Sequence, residues 1–330
     1  MSDADPSPGG QPQPPYNAAL ELRSRIPKSA HGLTLLDYLL QRFRYLDRAA
    51  WLAELSAGRL SLDGAIAKAE QRLRAGSELA FHKIQCEPVV SRDLRVVHTS
   101  AGYAIVEKPA HLPMHSDGPF VRNTLVHMLR SGSFPEAEIV HRLDRETSGL
   151  CVVARTKVAR QLLEQQFAAG SVGKTYLALV RGEVANDFVV DAPIGHCAHS
   201  SIALRRSAKP DARDPRPART DFFVQQRQPG VTLLRCVPHT GRTHQIRVHL
   251  ELAGHALLGD KLYGRPDADY LDFVTRVKTS GDAREVAEGE PNRQLLHASE
   301  LAFDDPDTGV RVNFTSALPD DFAIWLRPSG

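Results

Sequence analysis

Hydrophobic positions change rhythm several times along the chain, and each change marks an element. Leu33, Leu36, Leu39, Leu40 and Phe43 recur at helical spacing, and Trp51, Leu52 and Leu55 repeat it in a segment that stops at Gly58. Residues 59–64 then alternate as a strand does and close on an Asp-Gly turn. Residues 88–93 form a linker opening with Pro88, after which two apolar runs, 94–98 and 103–107, predict a β-hairpin ended by Lys108-Pro109. A short helix is expected over 123–130. Ile139 and Val140 lead into a charged connection, and the β-branched run 150–153 leaves it, so two strands joined by a tight polar turn are expected there. Residues 158–169 are amphipathic, with Leu162, Leu163 and Phe167 on one face and Gly170 at the stop. Strands are expected over 174–180 and 231–237. From 243 to 253 the period is helical again, with Ile246, Leu250 and Ala253 on one stripe and Gly254 after it.

Three stretches carry no such rhythm. Residues 1–16 are rich in Pro, Gly, Gln and Ser and are expected to form a disordered tail. Residues 196–219 scatter Arg205, Arg206, Lys209, Arg213, Arg216 and Arg219 among Pro, Ala and Asp, and read as a long basic loop. Such a loop fits phosphate contacts with a nucleic acid or, equally, a solvated insertion. Residues 265–292 read as a polar insertion. The organisation is therefore a small unit over 17–87 and a larger one over 88–330.

Bulk properties narrow the classes. A length of 330 residues gives ample core, and a net charge of +2 means that any nucleic-acid surface must arise from local clustering. Cys86, Cys151, Cys197 and Cys236 include no CxxC pair, which argues against a zinc ribbon or a disulfide framework and fits a reducing, cytoplasmic setting. The first residues lack a charged segment followed by an apolar one, and no stretch is apolar enough to span a bilayer, so neither secretion nor a membrane is expected. Gly-rich phosphate loops, HExxH and paired cysteines are all missing, so chemistry without metal or cofactor is expected.

Candidate chemistry concentrates in His141-Arg142-Leu143-Asp144-Arg145-Glu146-Thr147-Ser148-Gly149-Leu150. Asp144 lies between Arg142 and Arg145, and a carboxylate beside guanidinium groups stays ionised, ready to act as nucleophile or base. The plain alternative is a surface turn with ordinary ion pairs. Arg247 sits at the edge of an apolar helical stripe, where an unpaired charge is costly, so it needs a partner, and Asp144 is the natural one. His111 and His115 are four apart, but intervening prolines forbid a regular helix, so satisfied loop histidines are expected rather than metal ligands.

The decapeptide resembles the signature loop of the RluA-type pseudouridine synthases, whose catalytic aspartate falls at Asp144. The segments around Val106-Glu107-Lys108-Pro109, Lys174-Thr175-Tyr176 and Arg242-Thr243-His244-Gln245-Ile246-Arg247 resemble that family's other motifs, in order. The resemblance covers most of 94–325. It implies an α+β catalytic fold with a long, bent, mostly antiparallel sheet flanked by helices and loops. It also implies isomerisation of uridine in ribosomal or transfer RNA by a cofactor-free monomer. Asp144, Tyr176 and Arg247 become the catalytic set, with Tyr176 against the target base. Arg142, Arg145, Lys174, Arg242, His244, Lys108, Arg205 and Arg206 become the substrate and RNA set, in which Lys108 steers its loop. Residues 17–87 resemble the alpha-L RNA-binding domain, a small α/β unit. Asp47 and Asp63 replace that domain's usual serine and asparagine, while Arg42, Arg44, Arg48 and Arg59 keep phosphate binding open. Asp305 stands where a histidine is usual. Two rivals are an inactive RNA-binding or ribosome-assembly protein and a hydrolase pairing Asp144 with Glu146.

Overall fold

The computed structural model describes residues 16–280 and 289–326 in two compact units. Most of the expected tail lies outside the described residues, but Tyr16 already opens a strand.

In the first unit, β1 (Tyr16–Arg25) runs antiparallel along the whole of β4 (Glu78–Glu87), followed by β2 (Leu60–Leu62) and β3 (Ala65–Ile66), in the order β1-β4-β2-β3. Helices α1 (Leu35–Arg42) and α2 (Arg48–Ser56) bury Leu35, Leu39 and Trp51 with Leu60 and Phe81. The strands β1 and β4 were not legible, because neither carries a clean apolar alternation. The two acidic replacements have local structural work. Asp47 caps α2 by accepting from the Ala50 N–H at 2.8 Å, and Asp63 takes a left-handed turn position at φ 50° while accepting from the Glu78 N–H at 2.8 Å. Arg59 pairs with Glu54 at 2.5 Å, which removes it from the free phosphate-binding groups.

The second unit is built on one mixed sheet. Its strands in chain order are β5 (Arg95–Thr99), β6 (Tyr103–Lys108), β7 (Glu138–Ile139), β8 (Ser148–Ala154), β9 (Gly173–Arg181) and β10 (Phe188–Asp191). After three short strands of a separate sheet come β14 (Arg219–Gln228), β15 (Val231–Pro238), β16 (Leu296–Asp304) and β17 (Arg311–Thr315). The spatial order is β10-β14-β15-β9-β16-β8-β6-β5, with β17 beside β16 and β7 beside β8. All pairings are antiparallel except β16 with β8, where His297 faces Ser148 and Ala298 faces Gly149. That seam joins two half-sheets. Gly149 has φ +112°, and a Cβ there would meet the Ala298 carbonyl oxygen at 2.3 Å. Only glycine tolerates both conditions.

Helices α3 (Leu125–Ser131), α4 (Lys157–Ala169), α5 (Gln245–Leu252) and α7 (Asp320–Ala323) flank the sheet. Thr156 caps α4, and Gly170 ends it in the left-handed region. Two expectations change. The basic stretch 196–219 is not a simple loop: β12 (Arg206–Ser207) and β13 (Arg213–Arg216) pair with β11 (Ile194–His196) as a three-stranded sheet. The polar insertion 265–292 contains α6 (Asp267–Ser280), which buries Phe273; residues 281–288 lie outside the described residues. Asp305 organises its own turn, accepting from the Asp307 N–H at 2.7 Å and from the Tyr103 hydroxyl at 3.1 Å.

Candidate active site

The signature segment links β7 to β8 at the junction of the half-sheets. The Thr147 N–H donates to the Asp144 carbonyl at 3.1 Å and closes a turn, which lifts the Asp144 side chain out of the strand plane. His141 anchors the near side: its ring stacks on Phe167 at 4.6 Å, and its Nε2 accepts from the Val152 N–H at 3.0 Å.

Asp144 keeps 28% of its side-chain surface open. Its Oδ2 accepts from Arg247 Nη1 at 2.8 Å and from Gln294 Nε2 at 3.4 Å; its Oδ1 faces His244 Nε2 at 3.9 Å. Burial alone would raise the carboxyl pKa, but His244, Arg247 and the hydrogen bonds outweigh it and hold the group well below the usual carboxylate range. Near neutral pH His244 is uncharged, since burial pushes its pKa down to about 4, so Arg247 is the cation that matters. Arg142 and Arg145 do not have the role their place in the sequence indicated. Arg142 points outward without a hydrogen bond or ion pair among the described residues, and Arg145 pairs with Glu146 at 2.9 Å.

Arg247 is shared between two carboxylates. Its Nε and Nη2 form a fork with Asp260 at 2.7 and 2.9 Å, leaving Nη1 for Asp144. Asp260 has no exposed side-chain surface. Tyr263 lies beneath the same guanidinium, 4.8 Å from ring centroid to Arg247, and shares a 2.7 Å hydrogen bond with His244 Nδ1. The backbone N–H of Arg206 donates to that phenol oxygen at 3.1 Å, and the two contacts together fix the His244 ring with Nε2 toward Asp144. His244 holds a left-handed backbone at φ 60° just before α5. Asp260 and Tyr263 were not among the residues that the sequence singled out.

Tyr176 projects from β9 between Cys236 and Ala298 of its neighbours. Burial, and then the nearby Asp144 charge, raise its phenol pKa, so the ring presents a neutral hydroxyl. The structure thus joins Asp144 of the signature turn to Arg247 of α5 at 2.8 Å, and places Tyr176 of β9 near enough to feel the Asp144 charge.

The remaining expected residues divide. Lys108 is fully buried and cannot touch RNA; its Nζ donates to the carbonyls of Pro109 and Leu112 at 2.9 Å and of Arg145 at 3.1 Å. Burial lowers its pKa to about 7, while three carbonyl acceptors suit the three N–H groups of an ammonium. Arg205 is likewise occupied, pairing with Asp267 at 2.7 Å and Glu251 at 2.8 Å behind the site. Lys174 donates to the Thr240 carbonyl at 3.4 Å, Arg242 Nε donates to the Pro217 carbonyl at 3.0 Å, and Arg206 contacts His196 at 2.5 Å; all three keep partly open side chains. His111 is buried at φ 62°, and among the described residues its ring finds the Asn292 side chain as a partner but no close hydrogen bond. Glu146, the proposed second carboxylate of a hydrolase, is 8% exposed and enclosed by Lys261, Arg145 and the Gln294 N–H.

Comparison with known proteins adds to this geometry. Residues 102–252 match a family described as RNA pseudouridylate synthase. The ribosomal large subunit pseudouridine synthase D of Nitrosomonas europaea is 35% identical, over 92% of this chain and 86% of that protein. The protein of the same name from Pseudomonas aeruginosa is 34% identical, over 93% and 95%. Among solved structures, human RNA pseudouridylate synthase domain containing 1 superposes with a TM-score of 0.54 at 26% identity, covering 72% of this chain and 97% of that one.

Proposed function

Because the chain belongs to the RluA-type RNA pseudouridylate synthase family, and is an RNA pseudouridine synthase, we propose that Asp144 starts the isomerisation of a flipped-out uridine in large-subunit ribosomal RNA. The observation that carries this reading is the partly open Asp144 carboxylate, kept ionised by its 2.8 Å pair with Arg247. An ionised oxygen can attack or remove a proton without first losing one. The ribosomal substrate rests on the relatives named for it.

In the reaction the N1–C1′ bond breaks, the uracil turns, C5 bonds to C1′, and the C5 proton is released as N1 gains one. Tyr176, neutral and near enough to feel the Asp144 charge, packs against the base and supplies a proton donor. His244 turns its Nε2 toward the same carboxylate, 3.9 Å away. Arg142, adjacent in sequence and exposed, enters the space that the base vacates or binds phosphate. Lys174, Arg206 and Arg242, with the exposed Lys209, Arg213 and Arg216, form the phosphate-contacting rim. Lys108, Arg145 and Arg205 fall outside it, because their charged groups are buried or already paired.

The test is tritium release from RNA labelled at C5 of uridine. The unaltered protein releases tritium, and Asp144→Asn loses the activity by at least about a thousandfold. Wild-type-like release from a folded Asp144→Asn would sink the assignment. Carbodiimide mapping of ribosomal RNA from a deletion strain identifies the modified uridine; unchanged ribosomal RNA would redirect the search to transfer RNA.

A further inference from the structure

Helix α6 and the Lys261–Glu146 pair take no part in the chemistry above, yet they are wired to it. The Glu146 carboxylate accepts from Lys261 Nζ at 2.9 Å, Arg145 Nη2 at 2.9 Å and the Gln294 N–H at 3.1 Å. So enclosed, it cannot exchange protons with a substrate. Lys261 also donates to the Asn292 carbonyl at 2.8 Å and lies 5.2 Å from the ring centroid of Phe273, the buried residue of α6. Gln294, whose backbone Glu146 holds, gives its side-chain amide to Thr147 at 2.9 Å and to Asp144 at 3.4 Å. A continuous path therefore runs from Phe273 through Lys261, Glu146 and Gln294 to the reacting carboxylate. The helix is pinned at its other end too, where Asp267 accepts from Ser200 Oγ at 2.5 Å and from Arg205 Nη1 at 2.7 Å.

A direct RNA role for α6 fits poorly. Its described exposed residues, among them Asp269, Leu271, Asp272 and Arg276, mix both signs of charge with an apolar side chain and give no basic stripe for phosphate. Bracing fits better. A buried ion pair adds little net stability over an apolar pair of the same shape, but it fixes geometry tightly. Reactive groups displaced by about 1 Å lose rate by about a hundredfold.

We propose that Glu146 and Lys261 are positioning residues: braced by α6, they hold the Asp144 turn, through Gln294, at its working distance from Arg247. This rests on Asp144 being the reacting group. Neither residue touches the uridine, so disturbing the pair alters turnover rather than RNA affinity.

The experiment compares Lys261→Met, Lys261→Arg and the double variant Glu146→Gln/Lys261→Met with the parent protein in the tritium assay, with thermal melts for each. Lys261→Met is expected to lower kcat by about tenfold to a hundredfold while KM for RNA stays within about threefold. Lys261→Arg, which keeps the charge, restores most of kcat. The double variant, which removes both charges of the Lys261–Glu146 pair and leaves only the part-exposed Arg145 without its carboxylate, folds and is no worse than Lys261→Met. If Lys261→Met is unfolded, the double variant is judged by the same criteria. The proposal is overturned by a folded variant with unchanged kcat, by a rise in KM at constant kcat, or by a double variant that cannot fold, which would assign the pair to stability alone. Asp144→Asn, assayed alongside, separates the two readings. Retained activity there removes the catalytic assignment, whereas an inactive Asp144→Asn beside a fully active Lys261→Met removes the brace alone.

Discussion

Two carboxylates share one guanidinium in this site, and they are not equivalent. Asp260 takes the bidentate face with no solvent exposure, so Arg247 is fixed before Asp144 is considered. Replacing Arg247 by Met leaves Asp260 as a buried charge without its partner, which is expected to cost about 3–5 kcal/mol of stability, read as a lower denaturant midpoint. The ionised state of Asp144 predicts a pH profile. Its pKa lies below the usual carboxylate range, so kcat of the parent protein should show no acid limb between about pH 5 and pH 7; a limb near pH 6 would contradict this. Glu146 carries a stability prediction. Burial raises its pKa, but Lys261 and Arg145 outweigh that and bring it down from 4.5 to about 2. Its stabilising contribution is present above pH 4.5 and disappears as pH falls through about 2, so the stability gap between the parent and Glu146→Gln should narrow over that interval in urea titrations. The Asp144–Arg247 pair was legible because an arginine at the edge of an apolar stripe demands an anion. Asp260 and Tyr263 were not, since what a turn residue faces depends on tertiary placement. Lys108 was legible as a loop-steering residue, but its complete burial was not, because carbonyls supplied by a distant turn leave no local trace.

Among the elements, those with strong periodicity emerged from the sequence close to their final bounds: the 103–108 strand of the hairpin, α4, β9, β15 and most of α5. The missed ones lack a one-sided apolar face. β1 and β4 owe their existence to pairing with each other, and the short strands of 194–216 owe theirs to three-way hydrogen bonding among basic residues. Helix α6 was hidden because its described exposed positions mix Asp269, Asp272, Thr275 and Arg276 with Leu271, which blurs the apolar face that carries Phe273. At the seam, Gly149→Ala combines a strained backbone with a clash against the Ala298 carbonyl. It should destabilise the second unit by more than about 1 kcal/mol and lower kcat as well, whereas the same change at Gly230, a turn with open space around its Cβ position, should leave kcat alone. Thermal melts and the tritium assay on the two variants check this.

At the scale of the molecule, each unit has its own hydrophobic core. A fragment covering 88–330 is therefore expected to melt cooperatively by itself, and a non-cooperative melt would count against that. Whether 16–87 helps to hold RNA can be read from the same fragment, as a loss of affinity and a shallower dependence on salt. The placement of the site across the seam has one more consequence. Asp144 is delivered by the half-sheet of β5 to β8, while Tyr176 and Arg247 are delivered by the half that contains β9 and β15. A chain whose halves had each collapsed correctly but failed to dock would look nearly native by circular dichroism and yet be chemically inert. Turnover in this protein is thus a gauge of whether the last long-range assembly step has been completed.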